Sequence, residues 1–89
     1  MSEYFNFQSN GKNYRLHISK IYESTQLIRY QVRGKNKSLI FQNNEPLLRT
    51  LGLRHRRPDW KLIEGQIHDP GFLTNLILYL DRLQKKEKI

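Results

Sequence analysis

The stretch Asp69–Lys86, DPGFLTNLILYLDRLQKK, decides the fold. Phe72, Leu73, Leu76, Ile77, Leu80 and Leu83 recur at three- and four-residue intervals, which on a 3.6-residue helix sets them along one stripe. Asp69 suits the N-cap, and Pro70 suits the first helical position, where its missing N–H costs nothing. Lys85 and Lys86 fall in the last turn, against the negative end of the helix dipole. Gly71 weakens such a helix by about 1 kcal/mol relative to alanine. Leu78 and Tyr79 lie off the main stripe and widen its apolar surface. They read either as the rim of a core or as an interface for a protein partner or a second copy. A helix this apolar needs a layer to cover.

The residues ahead of it supply that layer. Tyr4–Gln8 alternates, with Phe5 and Phe7 on one face, and leads into Asn10-Gly11, a strong hairpin signal because both residues tolerate positive φ. A two-residue turn there sets Phe7 opposite Tyr14 and Phe5 opposite Leu16. The next strand carries Tyr14, Leu16 and Ile18 inward and Arg15, His17 and Ser19 outward. A turn at Glu23–Thr25, centred on Ser24, places Leu16 opposite Val32 and Ile18 opposite Tyr30. It also places Arg15 opposite Arg33. Thr25–Arg33 continues with Ile28, Tyr30 and Val32 inward. A turn over Gly34–Lys37 then pairs Val32 with Leu39 and Tyr30 with Phe41. Three hairpins select one inner face.

Alternation stops at Asn43. Pro46 can open a short helical turn carrying Leu47, Leu48 and Leu51, which Gly52 ends. Leu53–Asp59 reads as a basic loop. Trp60–Glu64 reads as a fifth strand with Trp60 and Leu62 on one face. The expected architecture is α+β: a twisted antiparallel meander of four to five strands with one C-terminal helix packed on one face. It forms a single domain over 1–89, with the sheet in 3–43, the helical turn and basic loop in 44–59, the fifth strand in 60–64 and the helix in 69–86.

Composition excludes several classes. The chain has 89 residues and no cysteine, so it forms no disulfide framework or thiolate site, and a reducing cytoplasm is the expected compartment. MSEYFNFQSNGK lacks a basic segment followed by an apolar run, so no secretion signal is expected. Phe72–Leu80 falls far short of the ~20 apolar residues that a membrane helix needs, and no expected helix has a polar face dominated by Lys and Arg, so no membrane is expected as a partner. His17, His55 and His68 stand at no metal-ligand spacing, and no Gly-rich phosphate loop is present. No serine or threonine has a base close by in sequence. The expectation is a non-enzyme without metal or cofactor.

Charge is the strongest functional lead. The net charge is +8, and its excess is uneven. Residues 1–33 carry five positive and two negative side chains, residues 34–58 six and one, and residues 59–89 five and five. The whole excess therefore precedes the covering helix. Arg15, Arg29 and Arg33 fall on the outer face of the predicted sheet, Lys35 and Lys37 extend the field at a turn, and Arg54, Arg56 and Arg57 form a second cluster. Like charges paired across strands need solvent, a carboxylate or a bound anion to offset them. These eight residues are the candidates for neutralising nucleic-acid phosphates without strong sequence specificity. Most aromatics face inward in this register, leaving Tyr4, Tyr22 and Trp60 as possible exposed rings, with Trp60 assigned to the core. RHRRP also matches a nuclear-import string, a short pattern that is common by chance. The alternative function is a protein-interaction or self-associating domain that uses Leu78, Tyr79 and a sheet edge, with an acidic protein or a second copy as partner.

Overall fold

Asn10 and Gly11 adopt φ of 54° and 76°, the left-handed pair that closes a two-residue hairpin. In the computed structural model, which describes residues 2–53, 55–87 and 89, this turn joins β1 (Ser2–Ser9) to β2 (Lys12–Glu23). Phe7 lies opposite Tyr14 and Phe5 opposite Leu16, as the turn chemistry required. β3 (Ile28–Arg33) and β4 (Ser38–Asn43) follow, with Val32 opposite Leu39 and Tyr30 opposite Phe41. A short helix, α1 (Glu45–Thr50), and β5 (Lys61–Glu64) lead to α2 (Pro70–Lys85). The sheet is an antiparallel five-stranded meander in the order β1-β2-β3-β4-β5, and α2 covers one face. The architecture is α+β.

The second hairpin differs from its sequence reading. Val32 lies opposite Ile18 rather than Leu16, and Tyr30 opposite Lys20 rather than Ile18. Ser24 explains the slip. Its hydroxyl accepts from the Gln26 and Leu27 amides at 3.2 and 3.0 Å, and its own amide donates to the Leu27 carbonyl at 2.8 Å. These bonds build a turn over residues 24–27, longer than a tight turn centred on Ser24. The shift is two residues, so each inward side chain stays inward. The expected Arg15–Arg33 pairing is thus corrected: Arg33 lies opposite His17. A β-bulge between Lys20 and Tyr22 absorbs one further residue.

The core lies between the sheet and α2. Ile18, Phe41, Leu76 and Leu80 are fully buried, with Tyr30 and Val32 beside them. Phe72, Leu73, Ile77 and Leu83 pack around this centre, completing the stripe read from their spacing. Asp69 caps α2 by accepting from the Gly71 and Phe72 amides. Its other oxygen accepts from Asn10 Nδ2 at 3.1 Å, which ties the first turn to the helix start. At the opposite end, Gln84 donates to the Tyr30 hydroxyl and accepts from Asn43 Nδ2, both at 3.1 Å. Burial pushes the Tyr30 hydroxyl up to about 12. Trp60 stacks on Tyr30 with ring centroids 5.8 Å apart and donates its indole N–H to the buried Asp81.

Candidate nucleic-acid interface

The sheet face away from α2 is assembled from alternate residues of β1 to β5. One row across it runs Tyr4, His17, Arg33 and Ser38, each directly opposite the next. Another runs Tyr22, Arg29, Gln42 and Lys61. Strand alternation alone would turn Tyr22 inward, in step with Leu16 and Ile18. The bulge beside Ile21 reverses it onto the open face.

Each row holds an aromatic ring with a guanidinium over it. The Arg15 Cζ lies 4.8 Å from the Tyr4 ring centroid, and the Arg29 Cζ lies 5.1 Å from that of Tyr22. Arg29 Nε also donates to Gln42 Oε1 at 2.9 Å, which fixes the plane of the guanidinium. Arg33 Nη2 lies 3.3 Å from His17 Nδ1. An arginine only donates, so in this contact the imidazole nitrogen is the acceptor. The same imidazole packs on Tyr4 with centroids 4.9 Å apart. Tyr4 is 64% exposed and Tyr22 47%. Both rings therefore keep surface available for stacking.

The charge on this face is largely uncompensated. Among the described residues, no salt bridge engages Arg15, Arg29 or Arg33. The register places one carboxylate here, Glu64, opposite Ile40 at the far side of the sheet. Lys35 and Lys37 are exposed on the β3–β4 turn, which the Gly34 amide closes by donating to the Lys37 carbonyl at 2.9 Å. A shallow depression of about 760 Å³ connects Tyr4, Arg15, His17 and Arg33 to Lys35.

The second basic cluster lies elsewhere. Arg57 Nε sits 3.9 Å from Asp81 Oδ2, beside the C-terminal half of α2. Arg56 lines a hollow with Glu45, Asp81 and Glu87 on that same side. The fold thus gathers Arg15, Arg29 and Arg33, with Lys35 and Lys37 at their margin, and keeps Arg56 and Arg57 apart. Arg54 lies outside the described residues. Spacing alone overlooked His17 as a partner of Arg33, and Lys61, whose Nζ lies 3.7 Å from Asp59 Oδ2.

The two interface candidates on α2 also separate. Leu78 is exposed. Tyr79 packs against Phe5 and Phe7, and its hydroxyl donates to the Asn6 carbonyl at 3.1 Å, so its ring belongs to the core margin. Burial raises its hydroxyl pKa. Among the described residues, no three His, Asp or Glu side chains gather as a metal site, and no helix is long and apolar enough to cross a membrane. Comparison with protein-family models, curated proteins and solved structures gave no match.

Proposed function

We propose that this chain binds single-stranded nucleic acid across the open face of its sheet, without strong sequence preference, as a binding module rather than an enzyme. The observation that carries the reading is the repeated pairing of an exposed tyrosine with an unpaired arginine, Tyr4 with Arg15 and Tyr22 with Arg29. Bases stack on the rings, and the guanidinium groups, joined by Arg33, Lys35 and Lys37, replace phosphate counterions. A duplex hides the faces of its bases, so the tyrosines favour an open strand. The lack of cysteine suits a reducing cytoplasm.

Fluorescence anisotropy with labelled oligo-dT and oligo-U over a range of salt tests this. Affinity should fall steeply with salt, and Arg29→Gln should make the log–log slope shallower by about 0.7. Tyr4→Ala should cost about 1–3 kcal/mol of binding. The Arg56→Gln, Arg57→Gln double variant should leave the slope unchanged. Absence of binding at low ionic strength, or equal loss from the Arg56/Arg57 variant, refutes the reading. A second reading, self-association or docking to an acidic protein, rests on exposed Leu78. A dimer that buries Leu78 would favour it.

A further inference from the structure

β2 outruns its neighbour. Its ladder with β3 begins at His17 opposite Arg33, so residues 12–16 have β1 on one side and, among the described residues, no strand on the other. The direction of their backbone groups follows from one hydrogen bond. The Asn6 carbonyl accepts from the Tyr79 hydroxyl at the outer edge of β1, so it points away from β2. In an antiparallel ladder the residue opposite, Arg15, then points its own N–H and C=O away from β1. Asn13 has the same parity. These groups therefore face the lane that β3 vacates, and among the described residues none of them has a partner outside the strand ladder.

The vacated lane has two unlike sides. Beneath it, on the α2 side, Tyr14, Leu16, Leu39, Phe72 and Leu76 line a cleft of about 390 Å³. Above it lies the basic depression of Arg15, His17 and Arg33. Tyr14, Leu16, Gly34 and Lys35 border both hollows, so these are two faces of one gap. Lys12, Lys35 and Lys37 stand exposed around it. Proteins shield free strand edges, and the outer edge of β1 is shielded here by Tyr79. Among the described residues that line the gap, one carboxylate, Asp69, is already engaged by Asn10 and the first amides of α2, whereas Arg15, Arg33, Lys35 and Lys37 are all cationic. This net positive charge repels a second copy of the same edge and attracts an anionic chain.

We propose that this overhang binds an extended acidic peptide segment of another protein as an added strand. Asn13 and Arg15 supply its main-chain hydrogen bonds. Because side chains alternate across a strand, the segment has an apolar residue seated beside Tyr14 and Phe72 and acidic residues on either side of it that face Arg15 and Arg33. This proposal stands on the free edge of β2 and not on the nucleic-acid reading, although the two surfaces overlap at Arg15 and Arg33.

The test is amide hydrogen exchange with a capped peptide of about seven residues, central leucine flanked by glutamates and threonine at the ends. In the protein alone, the Asn13 and Arg15 amides should exchange fast while Tyr14 and Leu16 are protected. Saturating peptide should slow Asn13 and Arg15. A peptide with serine in place of leucine should bind about tenfold more weakly. Asn13→Pro deletes an N–H that does not face β1, so the hairpin survives and peptide affinity should drop about tenfold. Exchange at Asn13 and Arg15 that peptide leaves unchanged would overturn the proposal. So would equal binding of the leucine and serine peptides. Protection of these amides by oligo-dT but not by peptide would assign the gap to nucleic acid instead.

Discussion

Replacing Gln84 with methionine should destabilise the protein by about 2 kcal/mol, although the side chain keeps nearly the same volume. Gln84 donates to the Tyr30 hydroxyl and accepts from Asn43 Nδ2, both at 3.1 Å. Asn43 is 1% exposed, and its Oδ1 already accepts from the Glu45 amide at 2.8 Å. The variant deletes two bonds worth about 1 kcal/mol each and strands a buried amide donor. Gln84 is half-buried, so water reaching its end of the site holds the total near that sum. The melting temperature should fall by roughly 10 °C at this chain length. The same network has an alkaline signature. Burial pushes the Tyr30 hydroxyl from 10.0 up to about 12, so the native state keeps a proton that the unfolded chain releases. This contribution is complete below pH about 10 and is lost as pH rises toward about 12, up to roughly 2 kcal/mol. Tyr30→Phe should be less stable than the parent at neutral pH, and the gap should narrow across that window. Urea unfolding at neutral and alkaline pH measures both effects. A Gln84→Met variant within about 0.5 kcal/mol of the parent would refute the network. Parallel pH profiles for Tyr30→Phe and the parent would refute the titration.

Tyr79→Phe removes the hydroxyl that covers the Asn6 carbonyl; it should cost about 1 kcal/mol and raise self-association through β1, seen by sedimentation at several concentrations. Gly65→Ala should cost at least about 2 kcal/mol by chemical denaturation. Gly65 has φ of 93°, and a methyl group there would lie 2.6 Å from Leu39 Cδ2 and 2.8 Å from the Ser38 carbonyl oxygen. Asp81→Ala should cost about 1–3 kcal/mol and shift Trp60 fluorescence, because the indole N–H loses its acceptor. Asp81→Asn, which keeps an acceptor oxygen, should cost less.

The register of the first and third hairpins was legible because their turns are short. Asn10-Gly11 and Gly34–Lys37 leave little freedom, and pairing apolar with apolar residues fixes what remains. The second hairpin was not legible, because Ser24 folds its turn through backbone amides that no hydrophobic pattern records. A two-residue slip preserves the faces, so the inner set read correctly while individual cross-strand partners did not. The candidate site carried the same error: Arg15, Arg29 and Arg33 share the open face, but Arg33 meets His17 rather than Arg15. The apparent kinship of Arg56 and Arg57 with these residues came from charge alone. Charge along a chain says nothing of which layer a loop joins.

By itself the sequence determined the two layers, the meander, the helix that roofs it and the arginines on the open side, because periods of 2 and 3.6 residues divide each element into faces. Only the tertiary structure decided what those faces hold at a finer scale. One bulge turned Tyr22 outward beside Arg29, a longer turn left β2 overhanging, and Asp81 held Arg57 to the helix side. Each depends on hydrogen bonds and ion pairs between residues distant in the chain or on a one-residue shift in strand phase, and local periodicity encodes neither.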